Sequence, residues 1–136
     1  MRALLMSLLT GASIMGCGVD PVQITGTATV RWSIQSTFDP QLCAANGVTN
    51  TIIEVYFDSG ALATRAIASC AAFQQTIVVG EGFYSARVTL ADAALVPLTT
   101  TVTVPSFFVQ RNTDVPVEVD FPFDSFLATI RNTKGE

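Results

Sequence analysis

The sequence contains no histidine, and charged residues make up only 13% of its 136 positions, about half the share that is usual in globular proteins. The missing imidazole removes the commonest general base and the usual zinc ligand. The lysines and arginines stand singly, so no basic face is available to bind nucleic acid. A nucleophile elbow, a phosphate-binding glycine loop and a linear calcium loop are also missing. We therefore expect no enzyme, no cofactor and no metal site, with calcium held between separate loops as the one alternative left open.

The first sixteen residues have the composition of a secretory signal. One basic residue, Arg2, precedes an uncharged, largely apolar run, which is shorter than the roughly 20 residues of a membrane-spanning helix. Ile14-Met15-Gly16-Cys17 then resembles the lipobox of bacterial lipoproteins, with Met15 in place of the usual small residue. The resemblance implies cleavage after Gly16, a diacylglyceryl group on the thiol of Cys17 and further acylation, such as palmitate, on the new amine.

A lipid on Cys17 would anchor the protein in the bacterial cell envelope. More than one acyl chain gives stable anchoring, and Gly18, which stands where an Asp would retain many lipoproteins at the inner membrane, favours the outer membrane. The alternatives are an ordinary secretory signal with Cys17 left as a thiol, and a buried N-terminal helix. Residues 17–23 form a short tether: its six residues after Cys17 reach about 20 Å when extended, so we expect the domain to stay near the lipid headgroups.

Residues 24–130 predict a single all-β domain, an antiparallel β-sandwich (Ig-like or prealbumin-like) of seven to eight short strands, followed by a flexible tail at 131–136. The clearest strand is Ile24–Gln35, where apolar and polar residues alternate and Trp32 lies in the apolar phase. Leu62–Cys70 alternates only in part, which leaves a short helix open, and Phe123–Ile130 is either an edge strand or a packed loop. The other predicted strands are Thr51–Phe57, Phe73–Val79, Phe83–Leu90, Leu98–Val104, Ser106–Gln110 and Val115–Phe121.

The run Ile77–Val88 resembles a signature of small transthyretin-like and carboxypeptidase-regulatory-like sandwiches. In that signature a strand and a turn precede Gly-x-Tyr, and Gly82 and Tyr84 occupy the two positions. Gly82 permits a positive φ in the turn, and Tyr84 can bury its ring while its hydroxyl reaches a partner. The resemblance implies a structural or recognition module rather than an enzyme, although a shared fold alone does not define function.

Cys43 and Cys70 are the internal pair that remains if Cys17 is lipidated. Export into an oxidising compartment favours a disulfide between them, and such a cross-link would stabilise the fold by about 3.5 kcal/mol in the chain-entropy model. Two buried free thiols, or a pair of metal ligands, are the alternatives.

Three further groups of residues are candidates for function. The leading hypothesis is a non-catalytic, envelope-anchored module that is structural or binds a protein partner. A C-terminal phenylalanine cluster either fills the core and a covered second sheet, or forms an apolar patch for a partner protein or the membrane surface. The second is a small-ligand or carbohydrate-binding protein that uses the loops Asp39–Asn50 and Ala91–Pro97, and the third is a hydrolase that uses carboxylates alone. The phenylalanines are Phe107, Phe108, Phe121, Phe123 and Phe126, and the carboxylates are Asp58, Glu81, Asp92, Asp114, Asp120 and Asp124.

Overall fold

The structure, a computed structural model, describes residues 24–127 and contains two packed β-sheets. The three-stranded sheet has the order β4-β1-β7, and the four-stranded sheet has the order β3-β2-β5-β6. Neighbouring strands are antiparallel, except that β1 and β7 are parallel. The predicted all-β sandwich is confirmed. The strands are β1 (Thr25–Ile34), β2 (Asn50–Phe57), β3 (Leu62–Ser69), β4 (Gln74–Gly80), β5 (Gly82–Ala91), β6 (Val102–Val109) and β7 (Asp114–Phe121).

The core lies between the sheets and is filled by the apolar phase of the alternating strands. Trp32 and Phe121 are fully buried at its centre, with Ile53 and Leu90 facing them from the other sheet. The prediction that Trp32 belongs to the core is confirmed. Burial of each such side chain contributes roughly 1.5–3 kcal/mol to stability. The alternation that defines the strands therefore also provides the main favourable contribution to the free energy of folding.

The strands give the sandwich two distinct ends, which we call the near end and the far end. The near end, where β1 begins, carries Ile24 and the turns 58–61, 80–82 and 110–113. The far end, where β1 finishes, carries a short helix α1 (Pro40–Ala45), two 3₁₀ turns (Cys70–Ala72 and Phe123–Ser125) and the loop 91–101. The ten residues of β1 span roughly 33 Å between the two ends.

Two positions at the near end require glycine, one because of a close approach between strands and one because of its backbone conformation. A side chain at Gly26 would overlap the carbonyl oxygen of Gln110, so only glycine lets β1 pass beneath the β6–β7 turn. Gly82 has a φ of 157°, which side-chain-bearing residues rarely adopt. Two residues later Tyr84 is buried, and its hydroxyl donates to the carbonyl of Gly80 at 2.7 Å. The local geometry expected at Gly82 and Tyr84 is therefore present.

Several boundaries differ from the sequence prediction. The segment expected to be a loop before β2 contains α1, because Asp39 accepts a hydrogen bond from the amide of Gln41 and Pro40 occupies the first turn. The strands expected on either side of Pro105 are one strand, β6, which begins at Val102 rather than Leu98. Proline is tolerated there because β6 is an edge strand with a register shift opposite Ser85.

Two alternatives left open by the sequence are resolved. Leu62–Ser69 is a strand, so the helix considered for that segment is wrong. Phe123–Ser125 forms a 3₁₀ turn, and Phe126 makes a single bridge to Thr99, so the C-terminal segment packs as a loop as far as residue 127. The strand predicted to open at Ile24 begins at Thr25, and Ile24 itself is exposed.

Candidate partner-binding surface

The outer side of the four-stranded sheet carries a connected polar group that we call the Arg–Tyr cluster, consisting of Glu54, Tyr56, Arg65 and Arg87. The Tyr56 hydroxyl donates to Oε1 of Glu54 at 2.9 Å. Arg65 Nε lies 3.5 Å from Oε2 of the same carboxylate. The Arg87 guanidinium lies 4.8 Å from the centroid of the Tyr56 ring, in a cation–π contact. The Glu54 carboxylate therefore contacts both Arg65 and Tyr56, and Tyr56 in turn contacts Arg87.

Strand register brings these four residues together. Glu54 and Tyr56 are two residues apart on β2, so their side chains leave the same face of the sheet. Glu54 is directly opposite Arg65 on β3 and Arg87 on β5. Opposite charges in such cross-strand positions attract each other, so the cluster follows from the central position of β2.

The electrostatics of the cluster suit recognition more than stability. The pKa of Tyr56 is raised, mainly because its hydroxyl donates to Glu54 and also because the nearby negative charge disfavours ionisation. The side chains of Glu54 and Arg65 are 31% and 44% exposed, and ion pairs this open contribute little to stability. Tyrosine and arginine dominate binding energy at protein interfaces. The cluster thus offers a partner an aromatic face and two ordered cations.

Beside the cluster, β3 is an edge strand whose free side pairs with no other strand among the described residues. It contains no proline, and its register is regular from Thr64 to Ser69 after a shift near Leu62. The edges on the opposite side of the sandwich differ, since β6 contains Pro105 and β7 contains Pro116. Proline at an edge blocks strand pairing, so β3 and the edge strand β4, which also lacks proline, present the more accessible main chains. Of these two, β3 is the one that contributes to the Arg–Tyr cluster.

The far end holds the predicted disulfide, between Cys43 of α1 and Cys70. Their Cα atoms are 6.1 Å apart, and both residues are buried. The Trp32 indole donates to the carbonyl of Cys70 at 2.9 Å, and the Trp32 amide donates to the carbonyl of Phe73 at 3.2 Å. Phe73 has a φ of 58°, which is unfavourable for a bulky residue. The disulfide and the tryptophan together hold this strained turn against the core.

The two candidate binding loops meet at this end. The Asn50 side chain donates to the carbonyl of Asp92 at 3.2 Å, and the amide of Thr49 donates to the carbonyl of Ala91 at 3.0 Å. One carboxylate oxygen of Asp92 accepts from the amides of residues 94 and 96, each at 2.9 Å. Asp39 accepts at the start of α1. The acidic groups of these loops therefore stabilise the loops themselves.

Most of the carboxylates considered for catalysis have structural partners. Asp114 accepts from the hydroxyls of Thr27 and Thr29, each at 2.7 Å. Asp120 accepts from the Ser33 hydroxyl and the Ser36 amide, each at 2.7 Å. Glu81 accepts from the amide of Arg111 at 3.1 Å. Asp58 and Asp124 are exposed at opposite ends of the sandwich, and the structure does not gather these groups into one site.

The phenylalanine cluster inferred from the sequence is divided between the two ends. Phe121 and Phe126 are buried, and Phe107 is half-buried against the core. Phe108 and Phe123 are 43% and 49% exposed. Adjacent Phe107 and Phe108 thus face opposite sides of their strand, as an extended chain requires, and no single C-terminal aromatic patch forms.

Among residues 24–127, no group of three or more Cys, Asp or Glu side chains is placed to hold a metal ion, and no helix is long and apolar enough to cross a membrane. The predicted signal segment, the lipid attachment residue Cys17, the tether and the tail lie outside the described residues.

A family model described as a domain of unknown function (DUF8687) matches residues 16–131. The chain belongs to this family. The DUF8687 match covers the whole sandwich and both cysteines of the disulfide. No curated protein matches the chain. Function is therefore inferred from the surface chemistry of this DUF8687 domain itself.

Sequence reasoning missed the Arg–Tyr cluster. Arg65 and Arg87 stand singly in the sequence, and their proximity to Glu54 and Tyr56 depends on the pairing of three strands. A local signal was available in Glu54 and Tyr56, which occupy the polar phase of β2 two residues apart. That signal marks the solvent face of the strand but does not reveal its neighbours.

Proposed function

We propose that the protein is a non-catalytic lipoprotein, anchored in the bacterial envelope through a lipid on Cys17, whose β-sandwich binds another protein. The lipobox resemblance supports the anchor, and the half-exposed tyrosine and arginine side chains beside a free strand edge support the binding role. Outer-membrane placement and the transthyretin-like relationship stay predictions from the sequence.

The observation that carries the binding role is the open β3 edge beside the Arg–Tyr cluster. A partner segment in extended conformation can add to β3 through main-chain hydrogen bonds, while alternate side chains reach the outer face of the sheet. There it would meet Arg65 on β3 itself, and beyond it Tyr56 and Arg87. The ordered side chains lose little conformational entropy on binding, which favours recognition by this face.

The carboxylate-only hydrolase has less support. A general acid and a general base need carboxyl groups that face a shared substrate position. Glu81, Asp92, Asp114 and Asp120 instead accept hydrogen bonds from their own turns and strands.

Ligand binding at the far end is the second candidate function. The loops 39–50 and 91–97 lie side by side there, and Phe38 is half exposed with the Arg31 guanidinium 5.2 Å from its ring centroid. An aromatic ring and a cation at joined loops could hold a sugar or a small acid. Ligand-dependent thermal stabilisation that is lost in Phe38→Ala but retained in Arg87→Ala would favour this candidate.

Site-specific photo-crosslinking in bacterial cells tests the proposed binding face. A photoreactive phenylalanine analogue replaces Ile67, which is 44% exposed on the outer face of β3. The matched control replaces Glu118, which is exposed on the outer face of the other sheet. We expect a discrete protein adduct from position 67 only, in the membrane fraction, and its loss on adding Arg87→Ala.

Two results would count against this proposal. Adducts of the same pattern from positions 67 and 118 would indicate non-specific collision, and a complete lack of adduct from position 67 would remove the proposed face. Thermal melting of each variant confirms that the sandwich remains folded during the comparison.

A further inference from the structure

The near end of the sandwich presents large apolar side chains to solvent. We define the apolar rim as Ile24, Phe57, Leu62, Phe83 and Phe108, whose exposed fractions range from 43% to 56%. Phe83 and Phe108 are in direct contact, and apolar side chains that cluster on the surface of a soluble protein often mark an interaction site. The rim therefore calls for a partner that is itself apolar.

The rim is built on an ordered base of aromatic rings. Phe83 and Phe108 are opposite each other on β5 and β6, with ring centroids 4.8 Å apart. Phe57 contacts the buried ring of Tyr84, with centroids 5.7 Å apart. Tyr84 is fixed by its hydrogen bond to Gly80, so it gives Phe57 an ordered ring to pack against, while Phe83 and Phe108 pack against each other.

The N-terminal segment joins the sandwich at this same end. Ile24 is the first described residue, and its carbonyl accepts from the amide of Glu81 at 3.0 Å, beside Phe83. Only residues 18–23 lie between Ile24 and Cys17, a reach of about 20 Å when extended. A lipid on Cys17 therefore confines the rim to the neighbourhood of the bilayer, and the far end points away.

The charges near the rim fit a neutral lipid surface better than an anionic one. Glu81 accepts from the amide of Arg111, and the Arg111 side chain lies 4.0 Å from the same carboxylate. Asp114 is bound by two threonine hydroxyls, whereas Asp58 is exposed in the β2–β3 turn. Apolar burial, not attraction to anionic headgroups, must therefore supply the affinity.

We infer that the apolar rim docks into the headgroup–acyl boundary of the membrane that holds the lipid anchor. This inference depends on the proposed lipidation of Cys17. Apolar side chains gain free energy when they enter that boundary, and the short tether raises their effective concentration there. A second contact besides the acyl chains then fixes the orientation of the domain, with the far end outermost and the Arg–Tyr cluster on its flank.

Fluorescence quenching by brominated lipids tests this orientation. The full-length lipidated protein is reconstituted into phosphatidylcholine vesicles with or without bromine on the acyl chains. One variant carries Phe83→Trp in the rim, and the matched control carries Phe123→Trp, which is equally open at the far end. The buried Trp32 supplies the same background in both. Because bromine quenches only nearby indoles, we expect the added emission to fall about twofold or more for the rim variant alone.

The intact mass of each reconstituted sample separates the possible failures. Acylated protein with equal quenching at positions 83 and 123 would overturn the docking inference and leave the anchor in place. A mass without acyl chains, together with no vesicle binding, would overturn both. Phe108→Trp is the second rim variant, and it must repeat the result obtained at position 83.

Discussion

At the far end of the sandwich, a disulfide and the Trp32 indole hold a helix and a strained turn against the core. At the near end, three short turns close the strands and leave large apolar side chains in solvent. The two ends are about 33 Å apart along β1. A substitution at one end therefore makes no direct contact with residues at the other. Because the far end also exposes Phe38, Val96 and Phe123, the two ends differ in how their turns are held rather than in apolar exposure. Among the described residues, the covalent cross-link belongs to the far end, and the near end is the one that joins the N-terminal segment.

Phenylalanines that are close together in the sequence differ in how deeply their side chains are buried. Phe123 and Phe126 are three residues apart, yet the first is 49% exposed and the second 5% exposed. Phe107 and Phe108 divide in the same way at the near end. Matched pairs of substitutions at these positions can therefore measure the two roles separately.

The largest effect is expected from the phenylalanine pair Phe126→Ser and Phe108→Ser. Phe126→Ser removes a buried ring from the core, and we expect the free energy of unfolding to fall by about 3–5 kcal/mol. Phe108→Ser loses mainly its contact with Phe83, at a cost of about 1 kcal/mol. Urea denaturation measures both values. Equal losses would mean that the near-end aromatics belong to the core, which contradicts the comparison.

The second effect comes from removing the disulfide with Cys43→Ala and Cys70→Ala together. A link across 27 positions stabilises by about 3.5 kcal/mol when it restricts the unfolded chain. We expect the double variant to lose about this amount in urea denaturation. Wild-type protein in reductant is the control and should lose a similar amount. Two alkylatable thiols in native, non-reduced protein would show that the far end is not covalently closed.

The third effect distinguishes two buried hydroxyls. Thr99 Oγ1 accepts a hydrogen bond from the amide of Leu90 at 3.1 Å, so Thr99→Val strands a buried donor and should cost about 1–3 kcal/mol. Thr51 Oγ1 is buried and makes no hydrogen bond with any described group. Thr51→Val removes that unpaired hydroxyl at nearly constant shape, and we expect stability to stay equal or rise by up to about 1 kcal/mol. If Thr51→Val and Thr99→Val destabilised the protein equally, the difference between the unpaired Thr51 hydroxyl and the hydrogen-bonded Thr99 hydroxyl would be contradicted.

The smallest effect is a change in alkaline stability at the base of the rim. Burial raises the pKa of Tyr84, so the folded protein keeps the phenolic proton to higher pH than the unfolded chain does. The contribution of the protonated Tyr84 to the free energy of unfolding is fully present below the tyrosine pKa of the unfolded chain, about 10. It is lost as the pH rises through the higher pKa of Tyr84 in the folded protein.

Tyr84→Phe should therefore make the decline of stability above about pH 10 shallower. The comparison is made in a Tyr56→Phe background, because the pKa of Tyr56 is also raised. Thermal melting between pH 8 and pH 11, values chosen to bracket the tyrosine pKa of about 10, measures the slope. An unchanged slope would mean that Tyr84 ionises equally easily in both states.

Local patterns were sufficient to predict much of the fold. The two-residue alternation around Trp32 predicted β1 and its buried face. The prediction missed α1, although Asp39 before Pro40 is a helix-start signal, because the same dipeptide also favours turns. It also divided β6 at Pro105, since the effect of proline depends on whether a strand lies at an edge.

The candidate surfaces were less accessible to sequence reasoning than the fold. Both the Arg–Tyr cluster and the apolar rim depend on register between strands that are distant in the chain, such as Phe83 opposite Phe108. Alternation identifies the solvent face of each strand, but it does not say which strands are neighbours. The disulfide was predictable because the number of cysteines restricted the possible partners, whereas surface clusters have no such restriction.

Detergent phase partitioning with intact mass measurement tests the central claim, attachment through Cys17, most directly. Wild-type and Cys17→Ser proteins are prepared from bacterial membranes and compared. We expect wild type to enter the detergent phase with a mass that starts at Cys17 and includes acyl chains, and Cys17→Ser to stay in the aqueous phase. Two water-soluble proteins, with wild type cleaved near Cys17 and carrying a free thiol, would contradict it.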